Sequence, residues 1–333
     1  MIRNIIPDWT SGDSKVFEKD NFYRKHTLAK RIDVSDEGLA ALIDATPADM
    51  IDVVTMGADK TDNASWRTGD VRGVSGADAI KAVKTGRVWL NLKNLDKIMP
   101  EYRELLKEIY DGFEAAVPGL KVRHPEIGFI ISSPGVQTFY HADVPITILW
   151  QMRGVKRVYA WPLEEKFLSR EMLEGIYLNE YDEVDIPFKP EFDDEAMVVD
   201  LQPGEVLTWP HNAPHRVQNL DMVNVSLSTE HFTLDTMKRY GVYFTNGYLN
   251  RRFGIGPLST GIDGPSAWLK SAFAMGLKKT GIQKQHRRVK MVSFRVDPDA
   301  PNGVRDIEPY PHGDFNTSAD AVIQPAKAPV SAA

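Results

Sequence analysis

The periodicity of apolar residues changes twice along this chain, and the changes divide it into regions. Several stretches of residues 1–120 repeat an apolar position about every 3.6 residues, which is typical of amphipathic helices. From residue 121 to 235 the apolar segments are short and several alternate with polar residues, as in strands. Helix-like patterns return after residue 235. We therefore predict a mostly helical region over 1–120, an all-β core over 121–235 and a helical region over 236–315.

Helix starts are predicted from capping residues. Ser35 precedes a segment with an apolar face, and Thr46 is followed by Pro47, so both positions are expected to begin helices. A longer amphipathic helix is expected from Asp96 or Pro100. Further helices are expected near residues 163–173, inside an acidic insert over 163–195, and over residues 265–279. Residues 63–88 give no assignable pattern, and 316–333, rich in Ala, Pro and Ser, are predicted to be a disordered tail.

The central region contains many short strand-like segments separated by Gly and Pro. They cover residues 128–132, 138–143, 146–152, 155–161, 196–201, 206–209, 216–217 and 223–229. This spacing predicts a β-sandwich or barrel.

Composition excludes several kinds of site. The chain has no cysteine, so it has no disulfide, no thiolate metal site and no cysteine nucleophile. Its net charge of −6 argues against nucleic acid as a partner, and the basic segment 284–290 lacks the interleaved aromatic residues of a nucleic-acid surface. No apolar run approaches a membrane span or a secretion signal, so a cytoplasmic protein is expected.

One tripeptide and a distant histidine suggest a metal site. His141 and Asp143 are two residues apart in a strand-like segment, so their side chains are expected on one face. The third ligand is expected from a strand of the opposite sheet, and His215, at the start of a strand, is the candidate. Two imidazoles and one carboxylate suit Fe(II), Mn, Co or Ni. A His-x-Asp pair also occurs by chance, and His211 is a second candidate imidazole.

The residues around this pair carry a resemblance. The chain resembles the Jumonji C family of Fe(II)- and 2-oxoglutarate-dependent oxygenases over residues 121–231, and it is most similar to the branch containing the asparaginyl hydroxylase that acts on hypoxia-inducible factor. The matching residues are Thr138, His141, Asp143, Gly154-Val155-Lys156, Pro203-Gly204-Glu205 and Pro214-His215. Glu205 stands where the family more often has Asp.

The resemblance implies a fold and a cosubstrate site. It implies a double-stranded β-helix of the cupin or jelly-roll type, with helical N- and C-terminal flanks. Lys156 and Thr138 match the residues that hold the distal carboxylate of 2-oxoglutarate, and Thr147 and Ser228 match polar positions near the cosubstrate. A buried ammonium needs an anion, which a dicarboxylate supplies. The alternative is that Lys156 is an exposed strand lysine like its neighbours Arg153 and Arg157.

The implied activity is a dioxygenase reaction that couples decarboxylation of 2-oxoglutarate to oxidation of a substrate. Fe(II) is the expected metal, 2-oxoglutarate and O2 are the expected partners, and no catalytic residue is predicted beyond the metal site. The substrate, a small molecule or a protein, is not indicated by the sequence, and a homodimer is possible by analogy. The alternatives are a non-redox metal cupin, such as an isomerase or decarboxylase, and a non-catalytic binding protein with the same fold.

Overall fold

A computed structural model describes residues 1–281 and 289–312 of the chain. The predicted tail over 316–333 and most of the basic segment 284–290 lie outside these residues. The strands are Phe22–Lys25 (β1), Ile51–Thr55 (β2), Arg67–Asp70 (β3), Trp89–Leu92 (β4), Arg123–Ser132 (β5), Gln137–His141 (β6), Ile146–Arg153 (β7), Lys156–Ala160 (β8), Met197–Leu201 (β9), Glu205–Thr208 (β10), His215–Asn219 (β11), Asn224–Phe232 (β12), Met291–Val296 (β13) and Val304–Pro311 (β14).

The helices lie mainly before and after the central strands. They are Asp13–Val16 (α1), Asp36–Ala45 (α2), Gly76–Thr85 (α3), Leu95–Ile98 (α4), Pro100–Ala116 (α5), Arg170–Tyr177 (α6), Leu234–Phe253 (α7) and Gly264–Lys279 (α8). In the described part of the chain, no helix combines the length and the hydropathy that crossing a membrane requires.

The strands form two sheets. The larger has ten strands in the order β1-β10-β7-β12-β5-β4-β2-β3-β13-β14, and the smaller has four in the order β6-β11-β8-β9. Every pairing is antiparallel except β13 with β3. This arrangement confirms the predicted cupin-type β core with helical flanks.

Side chains from both sheets meet in an apolar layer between them. Leu149 and Leu207 come from the large sheet, and Val158, Leu201 and Val217 come from the small one. Because side chains alternate along a strand, these contacts identify the inner face of each sheet. Polar residues in phase with this apolar layer therefore point into the space between the sheets.

Helices cover the outer faces. Phe113 of α5 packs on Trp150 of the large sheet. Outside the small sheet, Tyr140 and Trp161 belong to a cluster with Tyr177 of α6 and Phe244 of α7. The sheets are thus rigidly supported on both sides, which keeps residues on the inner face in fixed positions.

Several local predictions were confirmed. Ser35 accepts a hydrogen bond from the backbone N–H of Gly38 and begins α2. The longer helix begins at Pro100, and α8 covers the predicted 265–279 segment.

Two predictions were wrong. Thr46 ends α2, because its hydroxyl donates to the carbonyl of Leu42, and Pro47 leads only into a single 3₁₀ turn. The helix of the acidic insert begins at Arg170 instead of near residue 163, because Ser169 is its cap. The flanking regions also supply β1 to β4, β13 and β14, which extend the large sheet. These strands are short, and Arg67–Asp70 contains no large apolar residue, so their formation depends on pairing with distant segments.

Candidate metal centre

The end of β6 and the start of β11 bring the three predicted ligands together. His141 is the last residue of β6 and lies opposite His215, the first residue of β11. Asp143 follows two residues after His141, and one ligand atom from each of the three lies within 4.8 Å of the others. The Nε2 atoms of His141 and His215 are each 3.4 Å from an oxygen of Asp143.

The sheet that contributes His215 differs from the prediction. β11 is the neighbour of β6 in the same four-stranded sheet, not a strand of the opposite sheet. Asp143 lies beyond the end of β6, so the loop places its carboxylate. The sequence does not show this because the pairing of β6 with β11 joins segments about seventy residues apart.

Backbone carbonyls orient both imidazoles. Nδ1 of His141 donates to the carbonyl of Phe139 at 2.7 Å, and Nδ1 of His215 donates to that of Ala213 at 3.2 Å. With the proton on Nδ1, each Nε2 has a free lone pair for a metal ion. Trp209 packs against the imidazole of His215, with 4.0 Å between the two ring centroids, and this contact further restricts the orientation of the imidazole.

The charges in this cluster also suit a divalent cation. Burial, reinforced by His141, lowers the pKa of His215 to about 3. Burial by itself would raise the pKa of Asp143, but His215 and His141 hold that pKa well below its usual range. Oδ2 of Asp143 is buried and has no hydrogen-bond partner in the described residues. A buried acceptor without a donor is costly, and a metal ion removes that cost.

A bulge brings Thr138 to the face of the ligands. His215 pairs with His141, but Val217 pairs with Thr138, so two residues of β6, Phe139 and Tyr140, lie opposite one residue of β11, Arg216. The extra residue on β6 reverses the alternation, and Thr138 therefore shares the inner face with His141.

Lys156 also points inward from the small sheet. It pairs with Asn219 of β11, which is in phase with His215 and Val217. Its Nζ crosses to the large sheet and donates to Oγ of Ser226 at 2.8 Å. Lys156 is 3% exposed, which excludes the alternative of a surface lysine. Burial lowers the pKa of Lys156 to about 7.

No anion balances Lys156 in the described part of the chain, since none of the ion pairs there includes it. Its cationic neighbours are paired. Arg153 lies 2.7 Å from Asp36, and Arg157 lies 2.6 Å from Asp200. A buried ammonium with only hydroxyl contacts favours an anionic ligand.

Thr147 and Ser228 lie on the inner face of the large sheet. Ser228 pairs with Leu149, whose side chain belongs to the layer between the sheets, and Thr147 precedes Leu149 by two residues. The hydroxyl of Thr147 is buried without a hydrogen-bond partner in the described residues. Both side chains therefore point into the space next to the three ligands, and their contact with a cosubstrate stays a prediction.

His211 is not part of this cluster. Its Nε2 donates to the backbone carbonyl of Val144 at 2.9 Å, and its Nδ1 is buried without a hydrogen-bond partner in the described residues, but His211 is not among the residues whose ligand atoms lie together. Burial lowers the pKa of His211 to about 4. Between the two candidate imidazoles, the geometry thus favours His215.

Two residues that sequence reasoning missed support the loop of Asp143. Asn212 donates to the carbonyl of Asp143 at 2.8 Å, and its own carbonyl accepts from the hydroxyl of Tyr177 at 2.8 Å. Glu183 accepts from the backbone N–H of Val144 at 2.9 Å. Asn212 has a φ of 63°, a conformation in which Asn is enriched, so its place in the turn before His215 was a usable signal.

Comparison with known proteins places this geometry in a family. A model of the cupin-like domain matches residues 48–229, so the match begins within the predicted helical N-terminal region. No curated protein matches the sequence.

Solved structures of the Escherichia coli ribosomal oxygenase YcfD are similar in fold. One is 17% identical with a TM-score of 0.49, covering 86% of this chain and 72% of that chain. Another, in complex with cobalt and succinic acid, is 16% identical with a TM-score of 0.47, covering 84% and 69%. A third, in complex with cobalt and 2-oxoglutarate, is 17% identical with a TM-score of 0.46, covering 84% and 68%.

Proposed function

The chain belongs to the cupin-like domain family, and on that basis we propose that it is an Fe(II)- and 2-oxoglutarate-dependent oxygenase. The observation that carries this proposal is Lys156. It is buried, has no anionic partner among the described residues, and lies on the same inner face as the two histidine ligands. A small dianion that also binds a metal ion satisfies both features, and 2-oxoglutarate is such a molecule.

Each proposed role corresponds to a position on the inner faces. His141, Asp143 and His215 would hold the metal ion and leave its other coordination positions open. Lys156 and Thr138 would bind the distal carboxylate, and Thr147 and Ser228 would line the path between them. When bound, Fe(II), 2-oxoglutarate and O2 supply the oxidative decarboxylation to succinate and the oxidation of a substrate C–H bond. The chain orients these molecules, and the apolar layer between the sheets excludes water.

The two alternatives differ from this proposal in what they require. A non-redox metal cupin, such as an isomerase or decarboxylase, uses the three ligands but has no need of a buried cation. A non-catalytic binding protein needs neither the free Nε2 atoms nor the unpartnered oxygen of Asp143. Lys156 therefore argues against the first alternative, and the geometry of the ligands argues against the second.

Placement within the Jumonji C family, near the asparaginyl hydroxylase branch, is part of the proposal. The spacing of Thr138, His141 and Asp143, followed by the Gly154-Val155-Lys156 turn, supports it. The β6 bulge gives that spacing a structural reason, because it lets Thr138 and His141 share one face. The proposed substrate is a small molecule or a protein side chain, and the proposed location is the cytoplasm.

We also propose a homodimer formed through α7 and α8. These helices and the segment that joins them expose large apolar side chains, including Leu269 at 72%, Phe253 at 61% and Met275 at 59%. Pairing with a second copy would bury these side chains in an isologous interface. Light scattering of the full chain tests this point, and a Leu269→Glu variant should shift the mass to that of the monomer.

An anaerobic titration tests the proposed activity. Fe(II) followed by 2-oxoglutarate should produce a weak visible charge-transfer band. Metal binding with no spectral response to 2-oxoglutarate would favour the non-redox cupin. Absence of metal binding would favour the binding protein.

A further inference from the structure

The side chain of Gln151 is completely buried, and its amide connects the turn before β8 to strand β12. Its oxygen, Oε1, accepts a hydrogen bond from the hydroxyl of Ser226 at 2.6 Å. Its nitrogen, Nε2, donates to three acceptors at 2.8 Å each, the backbone carbonyls of Arg153 and Gly154 and Oδ1 of Asn224. Both polar atoms of the amide therefore have partners within the chain. None of the roles proposed above uses Gln151.

These partners fix which way the amide of Gln151 faces. A reversed amide would place its oxygen against two backbone carbonyls, which cannot donate. Oε1 therefore faces Ser226, and the single proton of the Ser226 hydroxyl is committed to it. That hydroxyl can then only accept from Nζ of Lys156, at 2.8 Å. Gln151 thus sets the direction of both hydrogen bonds in the chain from Lys156 through Ser226 to Gln151.

The backbone of Gln151 is held as firmly as its side chain. Its main-chain carbonyl accepts from the N–H of Gly204 at 2.9 Å and from Nε2 of His26 at 3.0 Å. The other ring nitrogen of His26 accepts from the N–H of Leu28 at 3.0 Å, so the imidazole proton lies on Nε2. Contacts on both sides leave Gln151 one orientation relative to the sheet.

Gln151 supports Lys156 at both of its ends. At the backbone end it binds the carbonyl of Gly154, two residues before Lys156. Gly154 has a φ of 75°, and a Cβ there would lie 2.3 Å from the carbonyl oxygen of Val223, so this turn has little freedom. At the other end, Ser226 holds the ammonium. A lysine side chain loses much rotamer entropy when it is fixed, and fixing it before a ligand arrives reduces the cost of binding.

We propose that Gln151 is a positioning residue for the cosubstrate. Through Ser226 it fixes the ammonium of Lys156 in the orientation in which the remaining N–H donors face the distal carboxylate of 2-oxoglutarate. Because both polar atoms of its amide are already bonded, Gln151 acts through Lys156 and does not touch the cosubstrate. This inference rests on the proposed oxygenase function.

The test is calorimetric titration of 2-oxoglutarate into the full-length Mn(II)-loaded protein. Ser226→Ala and Gln151→Met should each raise the Kd about tenfold, as loss of a hydrogen bond that orients an ion implies. The Kd for Mn(II) should not change, since neither residue contacts a metal ligand. Ser226→Ala leaves the contacts of Gln151 with the turn in place, so it tests the proposal even where Gln151→Met fails to fold. Ser226→Thr keeps a hydroxyl and should restore binding to within about twofold of native.

A double-mutant cycle separates positioning from a general loss of structure. In a Lys156→Ala background, Ser226→Ala and Gln151→Met should not change the Kd for 2-oxoglutarate further, because both act through the ammonium. Thr229→Val is the matched control. Thr229 is on the same strand as Ser226, and its buried hydroxyl accepts from Nε1 of Trp150 at 3.0 Å. This variant should bind 2-oxoglutarate as the native protein does.

The proposal is overturned if Ser226→Ala binds 2-oxoglutarate as tightly as the native protein, or if Ser226→Thr binds it no more tightly than Ser226→Ala. It is also overturned if the tenfold effect persists in the Lys156→Ala background, or if Thr229→Val reproduces it. A native protein that binds no 2-oxoglutarate contradicts the oxygenase function itself. Native binding that Ser226→Ala leaves unchanged contradicts only the positioning role of Gln151.

Discussion

Nζ of Lys156 donates to Oγ of Ser226 across the space between the two sheets, at 2.8 Å. Ser226 in turn donates to the side-chain carbonyl of Gln151 at 2.6 Å. The ammonium has three N–H donors, and this is its one side-chain hydrogen bond among the described residues. Two donors therefore remain available in the space between the sheets, which is where a distal carboxylate would bind.

The first prediction concerns that charge. Lys156→Ala should retain the metal ion but raise the Kd for 2-oxoglutarate by roughly 10- to 100-fold, because a charge-assisted hydrogen bond is lost. Calorimetric titration of 2-oxoglutarate into Mn(II)-loaded protein measures it. Arg157→Ala is the matched control, since Arg157 is one residue away and paired with Asp200. An unchanged Kd for Lys156→Ala would refute the cosubstrate assignment.

The second prediction is a pH dependence of cosubstrate binding. Burial lowers the pKa of Lys156 to about 7, and the side chains around it, Ser226, Gln151 and Asn219, do not titrate. Below that pH the ammonium is already charged, so affinity should be constant. Above it, binding requires proton uptake, and the Kd should rise about tenfold per pH unit towards the ordinary pKa of lysine. Calorimetry between pH 6 and 9 checks this.

A Lys156→Arg variant is the control for this pH series. Arginine keeps its charge throughout the range, so any remaining dependence in this variant reports other groups. The prediction fails if the native protein and Lys156→Arg show the same slope.

The third prediction separates the two candidate imidazoles. His215→Ala should abolish binding of Co(II), as should His141→Ala, because each removes one Nε2 ligand. His211→Ala should keep binding near the native stoichiometry, since His211 lies outside the cluster of ligand atoms. Metal analysis after gel filtration decides between them. Retention of metal by His215→Ala with its loss in His211→Ala would reverse the assignment.

The fourth prediction concerns the support of Asp143. Asn212→Ala removes the donor to the Asp143 carbonyl and should weaken metal binding by roughly 10- to 100-fold, as is usual for residues that orient ligands. Tyr177→Phe, which removes only the hydroxyl donor to Asn212, should have a smaller effect. Competition with a chelating dye measures both. Equal affinities of Asn212→Ala and the native protein would show that the loop is held by other contacts.

The sequence predicted which residues lie together better than it predicted how the fold brings them together. Thr138, His141, Asp143, Lys156 and His215 were selected from spacing and resemblance; the structure groups the three candidate ligands and places Thr138 and Lys156 on the same inner face, and their roles stay predictions. His215 was predicted on a strand of the opposite sheet, but β11 lies beside β6 in the same sheet. Alternation along a strand indicates the face on which a side chain lies, but not which strand is its neighbour. The β6 bulge, which explains the position of Thr138, has no local sequence signal.

The flanking strands were missed for a related reason. Trp89–Leu92 has only four residues, and it joins the large sheet by pairing with β2 and β5. Segments this short are stabilised by tertiary contacts more than by intrinsic propensity.

The central claim is tested most directly by the conversion of 2-oxoglutarate itself. Native protein, Fe(II) and 2-oxoglutarate are incubated with and without O2, and succinate is quantified, with His141→Ala as the inactive control. The account predicts succinate only when native protein, Fe(II) and O2 are all present. Succinate formation equal to that of His141→Ala, in protein that binds iron with native stoichiometry, would contradict it.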